Sequence, residues 1–291
     1  MQVNANVVNE APRAAATLVM LRDGEQGLEV FLLKRHGLSD VLGGAYVFPG
    51  GKLDPSDGEL PAAQYLDQPE QELLRALNEP EIDATMATAI YVAALREAYE
   101  ESGVLFTGSA SQAQLRQAQS HSRDATGFGQ MLSLTGLRLA SSAMFPWVRW
   151  ITPRVPSMMN RRFDTRFFVA AVPADQVARH DDHEAVESAW LTPRRALQQY
   201  WQREIELAPP QIMSLAHLSR FPDVAAATSD ARRRLPPVVQ PEPFDEDGAR
   251  VICYPGDERH SVRERALPGP TRLHHRDGRF EPTGGFEALF E

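Results

Sequence analysis

Apolar positions run almost without a break over residues 15–21 and again over 28–33, and the polar, glycine-containing stretch from Arg22 to Gly27 separates them. Apolar runs of that length, bounded by turn residues, predict two strands joined as a hairpin. Tyr46-Val47-Phe48 predicts a third, short strand leading into Pro49-Gly50-Gly51, where paired glycines open backbone geometry closed to other residues. From about Asp83 the period changes. Ile90, Val92, Ala93, Leu95, Ala98 and Tyr99 recur at helical spacing until Ser102-Gly103, a glycine stop. A polar segment rich in Gln, Ser and Ala fills residues 107–130, after which 147–151 and 166–172 read as further strands of the same sheet. Thr192 and Pro193 suit the N-cap and first position of a helix over 194–202, and Ile212, Leu215, Leu218 and Phe221 predict one more amphipathic helix.

Beyond Ala208 the character shifts: eleven of the 22 prolines fall there, with few long periodic runs. No second independent core is expected in that part. Residues 251–254 and 272–280 read as strands of an extension that wraps the main domain. The organisation expected is a main domain over 12–220 and a proline-rich extension over 221–291, packed on the core or trailing it, with no internal repeats.

Composition narrows the class. With 43% apolar residues in 291, the chain can fold around its own core. The single cysteine, Cys253, excludes an internal disulfide and a cysteine-based zinc site, and reads as a strand-packed thiol in a reducing compartment, taken as the cytoplasm. The apolar runs fall short of the ~18 residues that span a bilayer, and residues 1–12 lack the regions of a secretory signal, so no membrane partner is expected. A net charge of −9 argues against a broad nucleic-acid surface. Lys34 and Lys52 are the only lysines; the arginine excess reflects whole-chain composition rather than a site. His274-His275 beside Asp277 read as exposed tail. A homodimer is left open.

The chemistry concentrates in Arg96-Glu97-Ala98-Tyr99-Glu100-Glu101-Ser102-Gly103-Val104. Glu97, Glu100 and Glu101 stand at i, i+3 and i+4, so one helical face carries all three carboxylates. Like charges at that spacing repel, and acids in a last turn oppose the helix dipole. A divalent cation between them converts the repulsion into ligation by hard oxygens.

Together with Gly51 and Asp57, this run resembles the Nudix box: Gly, five residues, Glu, seven residues, then Arg-Glu-apolar-x-Glu-Glu-x-Gly-apolar. The second half matches at Arg96, Glu97, Glu100, Glu101 and Gly103. Asp57 stands where the family usually has Glu, and it precedes Arg96 by 39 positions where the pattern gives eight. The glycine turn and the helix can still meet if the segment from Gly58 to about Asp83 loops out. The resemblance implies an α/β fold of the Nudix type, an α/β/α sandwich on a mixed β-sheet. It also implies hydrolysis of a nucleoside diphosphate-linked substrate with Mg²⁺ or Mn²⁺. Glu100 and Glu101 are then the principal metal ligands. Glu97 is a third ligand or the general base, and Arg96 orients a carboxylate. Some relatives place the base on a late loop, for which Glu184 and Glu187 are candidates.

Residues 31–51 resemble the accessory motif of Nudix coenzyme A diphosphatases, with Arg35, Gly44 and Phe48-Pro49-Gly50-Gly51 in register. Phe31, Leu33, His36 and Asp40 depart from it. The long insertion and the run from Arg161 to Phe168 resemble the peroxisomal coenzyme A diphosphatase branch and its bacterial relatives. These likenesses imply coenzyme A or acyl-coenzyme A as substrate, giving phosphopantetheine and adenosine 3′,5′-bisphosphate products, with Arg35, Gly50, Gly51, Arg162 and Arg166 in substrate binding. Diphosphatases of nucleotide sugars or nucleoside triphosphates are the alternative, and a non-catalytic nucleotide-binding regulator is a second.

Overall fold

The computed structural model describes residues 7–37, 42–123, 127–155, 161–181 and 185–291. The expected hairpin forms from β1 (Arg13–Gly24) and β2 (Gly27–Arg35), which pair antiparallel from Leu21↔Val30 to Gly24↔Gly27. β3 (Tyr46–Val47) pairs with β2 and β4 (Gly50–Lys52) pairs with β1, so the glycine turn is itself part of the sheet.

The segment expected to loop out is instead folded. After a single 3-10 turn at Pro55–Gly58 come α1 (Ala62–Tyr65) and α2 (Glu70–Leu77). Leu66, Leu73 and Leu77 from this segment are at most 2% exposed and enter the same apolar cluster as the following helix. Their burial offsets the chain entropy that a free loop would retain.

α3 (Ala84–Ser102) starts and stops where the sequence signals it. Asp83 caps it by accepting from the Met86 N–H at 2.8 Å, and Gly103 ends it at φ 71°, a conformation that glycine adopts without strain. The polar stretch after it is helical too: α4 (Gln112–Arg123) and α5 (Phe128–Thr135) follow, with Leu115, Ala118, Phe128, Met131 and Leu132 turned into the core. A thin apolar stripe sufficed here, because the neighbouring helices supply the rest of the interface.

β5 (Met144–Ile151), β6 (Phe163–Ala171) and β7 (Ala185–Leu191) return to the sheet. α6 (Pro193–Trp201), α7 (Pro209–Leu218) and α8 (Val224–Arg233) follow, with Thr192 capping α6 through the Arg195 N–H. β8 (Val238–Val239) then joins β5. Among the described residues, β1 to β8 make one mixed sheet in the order β3-β2-β1-β6-β5-β8, with β4 also on β1 and β7 also on β2; β1–β6 and β5–β8 are the parallel pairs.

Both faces of this sheet are covered, which explains why its strands read as continuous apolar runs rather than alternating ones. Leu18, Met20, Phe31, Leu33, Phe168 and Ala170 pack toward α3 and its neighbours. Val19, Leu21, Val30, Leu32, Phe167 and Val169 pack toward α6, α7 and α8. The arrangement is an α/β/α sandwich.

The C-terminal part forms a second antiparallel sheet, β9 (Glu242–Glu246), β10 (Ala249–Cys253), β11 (Arg272–Arg276) and β12 (Arg279–Glu281), in the order β12-β11-β10-β9. Ile252, Leu273, Phe280 and Leu289 share the apolar cluster of α6 and α7, so the extension closes over the main sheet. His274 is therefore not exposed tail: it is 6% exposed and shares a 2.9 Å hydrogen bond with the Thr283 hydroxyl. Among the described residues no helix is long and apolar enough to cross a membrane.

His217, on α7, stacks on Trp147 with centroids 4.9 Å apart. Burial, reinforced by Arg234, depresses its pKa to about 4. The folded value lies below the unfolded one, so the stability from keeping the ring neutral is complete above pH ~6.5 and is lost as pH falls toward 4. We expect urea unfolding of the wild type to lose up to about 3 kcal/mol across that window and His217→Leu to lose much less. Equal slopes for the two proteins would count against it.

Candidate active site

The site assembles around Arg96, on α3. Its Nε donates to Asp57 Oδ1 at 2.7 Å and its Nη2 to Asp57 Oδ2 at 2.9 Å, a bidentate pair with the carboxylate 1% exposed. Nη1 donates to Glu97 Oε1 at 2.8 Å and to Glu100 Oε2 at 3.0 Å, and Nη2 reaches the Lys52 carbonyl at 3.1 Å. Burial alone would lower the Arg96 pKa, but Asp57, Glu97 and Glu100 outweigh it and hold the guanidinium firmly charged. Separated by 39 positions, Asp57 and Arg96 thus meet directly. Asp57 anchors the arginine, and its Oδ2 also accepts from the Asp54 N–H at 2.8 Å, capping the 3-10 turn over Pro55–Gly58.

The glycine turn is clamped to α3 by Glu101, whose Oε2 accepts from the Gly50 N–H at 2.8 Å. Gly51 leaves room for Glu97: a Cβ there would lie 2.4 Å from Glu97 Oε1, so any side chain at this position displaces that carboxylate. Glu97 is 15% exposed, Glu100 is 46% exposed, and buried Glu101 completes the row. Among the described residues no three His, Cys, Asp or Glu side chains converge on one point that would hold a metal. The chemistry and placement of the row still suit a hard divalent cation: a pair of carboxylates lies within 3.0 Å of one arginine nitrogen, beside a glycine cradle that a Cβ would fill.

Glu97, Gly50 and Gly51 open on a cleft of about 390 Å³. Arg35, Lys52 and Arg161 line it as cations, and Trp150, Phe163 and Phe167 line it as apolar wall. Arg35, expected in substrate binding, lies on the wall of this cleft. Arg162 and Arg166, expected to face substrate, are turned elsewhere. Arg166 pairs with Glu79 at 3.0 Å, just after α2, and Arg162 donates to the Thr152 and Glu10 carbonyls. Glu79 also meets Arg149 at 3.0 Å, so the insertion supplies the acid that these arginines need.

The alternation along β6 explains the difference. Phe163, Thr165 and Phe167 share one face and line the cleft together with Arg161, while Arg166 points to the other. Choosing the strand face one residue out of step exchanges the two sets. The sequence already contained this signal, in the alternation of Phe163 and Phe167 about the arginines.

The late segment approaches the end of α3: the Arg179 N–H donates to the Ser102 carbonyl at 3.0 Å and the Asp181 N–H to the Glu101 carbonyl at 3.1 Å. Glu184 lies outside the described residues. Glu187 lies on β7 rather than on a loop; it pairs with Lys34 at 3.5 Å, and after burial it is the main influence raising the Tyr46 phenol.

Acyl-coenzyme A diphosphatase NUDT19 of Xenopus laevis is 27% identical over 273 residues, covering 79% of this chain and 70% of that protein. The human protein of the same name is 26% identical over 287 residues, covering 80% and 72%. Among solved structures, a NUDIX hydrolase from Alicyclobacillus acidocaldarius superposes with a TM-score of 0.59 at 27% identity, over 76% of this chain and 97% of that one. Residues 3–218 match the NUDT19 Nudix domain, and the chain belongs to that family of Nudix domains.

Proposed function

We propose that this protein is a divalent-cation-dependent Nudix diphosphatase that hydrolyses the diphosphate bond of coenzyme A or an acyl-coenzyme A. The observation that carries the reading is the Arg96-centred row of carboxylates set against the Gly50–Gly51 turn, at the mouth of a cleft with both cationic and apolar walls. The two NUDT19 relatives, named acyl-coenzyme A diphosphatases, favour this substrate over nucleotide sugars.

Glu97, Glu100 and Glu101 would hold Mg²⁺ or Mn²⁺, which neutralises the diphosphate and favours attack by water on phosphorus. The remaining work falls to the chain. Arg96 fixes Glu97 and Glu100 through a single nitrogen, so their positions are set before substrate arrives. Glu101 keeps the Gly50 backbone at the cleft. Arg35, Lys52 and Arg161 attract the phosphates. Glu97, beside the turn, serves either as the third ligand or as the base that takes a proton from the attacking water. The new oxygen–phosphorus bond replaces the anhydride bond, and each product leaves with a terminal phosphate.

Purified wild type and Glu100→Gln should be incubated with Mg²⁺ or Mn²⁺ and coenzyme A esters, dinucleotides, nucleotide sugars and triphosphates, with products identified by mass. We expect the wild type to release adenosine 3′,5′-bisphosphate and a phosphopantetheine, and Glu100→Gln to be strongly impaired. Cleavage of other compounds with coenzyme A untouched would reject the substrate; no cleavage at all would reject the reaction. Gly51→Ala, whose methyl displaces Glu97, should lose roughly 10²-fold in kcat with little change in fold, checked by kinetics and circular dichroism.

A further inference from the structure

Two residues of the cleft wall carry buried polar atoms without hydrogen-bond partners among the described residues. Trp150, on β5, is 4% exposed and its indole Nε1 is unpaired; Gln211, near the start of α7, is 7% exposed and its Oε1 is unpaired. Both side chains line the cleft, among Phe163, Pro241 and Ile252. Burying a donor and an acceptor in apolar surroundings is unfavourable unless something supplies their complements.

The start of α7 indicates the charge of that partner. A helix N-terminus ordinarily attracts anions through its free N–H groups. Here Pro209 and Pro210 take the first two positions and have none, so the start of α7 offers a phosphate fewer donors than a helix start ordinarily does. It suits a neutral group. One N–H donor and one carbonyl acceptor are what a secondary amide offers, and the surrounding side chains suit the aliphatic chain on either side of it.

We propose that this part of the cleft binds a neutral, amide-bearing aliphatic arm of the substrate. Gln211 accepts from the amide N–H, Trp150 donates to the amide carbonyl, and the two residues set specificity. The inference rests on the diphosphatase reading and deepens it: the pantetheine arm of coenzyme A is aliphatic and carries secondary amides, whereas the sugar of ADP-ribose or a nucleotide sugar presents hydroxyls. A site built to pair an amide discriminates strongly against a group that leaves its partners unpaired.

The test measures free pantetheine binding to the wild type, Gln211→Leu and Trp150→Phe by calorimetry, alongside kinetics on coenzyme A and ADP-ribose, after thermal melts confirm that each variant folds. Trp150→Phe keeps most of the ring packing if Gln211→Leu fails to fold. We expect pantetheine to bind the wild type and each variant to bind it roughly tenfold more weakly. KM for coenzyme A should rise similarly, and by more than KM for any ADP-ribose that is cleaved. Pantetheine that fails to bind the wild type, or binds all three proteins equally, overturns the inference, as does an equal loss on both substrates. A wild type that binds pantetheine through these residues but hydrolyses no coenzyme A leaves the pocket standing and rejects the diphosphatase reading instead.

Discussion

Glu97→Gln should lower kcat for diphosphate hydrolysis by about 10³-fold while moving the melting temperature by no more than roughly 3 °C. The substitution is close to isosteric, and its amide oxygen can still accept from Arg96 Nη1, so the contact at 2.8 Å survives. What disappears is the negative charge and the capacity to take a proton. Two roles for Glu97 then separate by experiment. If it acts as base, the acidic limb of the kcat profile disappears and metal dependence is unchanged. If it acts as ligand, the Mg²⁺ needed for half-activation rises and the limb remains. A variant with more than a tenth of wild-type kcat would remove Glu97 from either role.

Arg96→Met should be the most damaging single change to stability. It leaves Asp57, 1% exposed, as a buried carboxylate without its cation, a situation that costs about 3–5 kcal/mol. For a chain of this size that corresponds to a fall of roughly 10 °C in Tm. Adding Asp57→Asn to Arg96→Met should recover part of the loss, because the uncompensated charge goes while most of the volume stays. Thermal melts of the two single variants and the double form a cycle that measures the coupling. Additive effects would show that Asp57 and Arg96 do not depend on one another. Hydrolysis should fall as well, since Glu97 and Glu100 lose the nitrogen that holds them.

Much of this site is legible in the order of the residues because it is local. Glu97, Glu100 and Glu101 share a helix face by spacing alone, Asp83 and Gly103 mark the ends of that helix, and Gly50-Gly51 announces a turn. The other half depends on partners far along the chain. The 39-residue separation of Asp57 from Arg96 gives no local sign that the two form a bidentate pair; only the packing of Leu66, Leu73 and Leu77 on α3 brings the insertion's ends together. Arg166 shows the same limit on a strand. Alternation divides β6 into two faces, but which face meets the cleft depends on Glu79 waiting behind Arg166.

The division is physical. Helix periodicity, caps, the glycine stop and the acidic row follow from steric and electrostatic rules that act within a few residues. Neighbouring residues therefore suffice to specify α3, the hairpin, the α/β class and the carboxylate set. Strand facing, the folding of the insertion, the joining of the C-terminal sheet to the main core and the placing of Gln211 and Trp150 on one cleft follow from which apolar surfaces find each other. Those pairings bury surface between elements that are distant along the chain, so they are settled only when the whole chain packs.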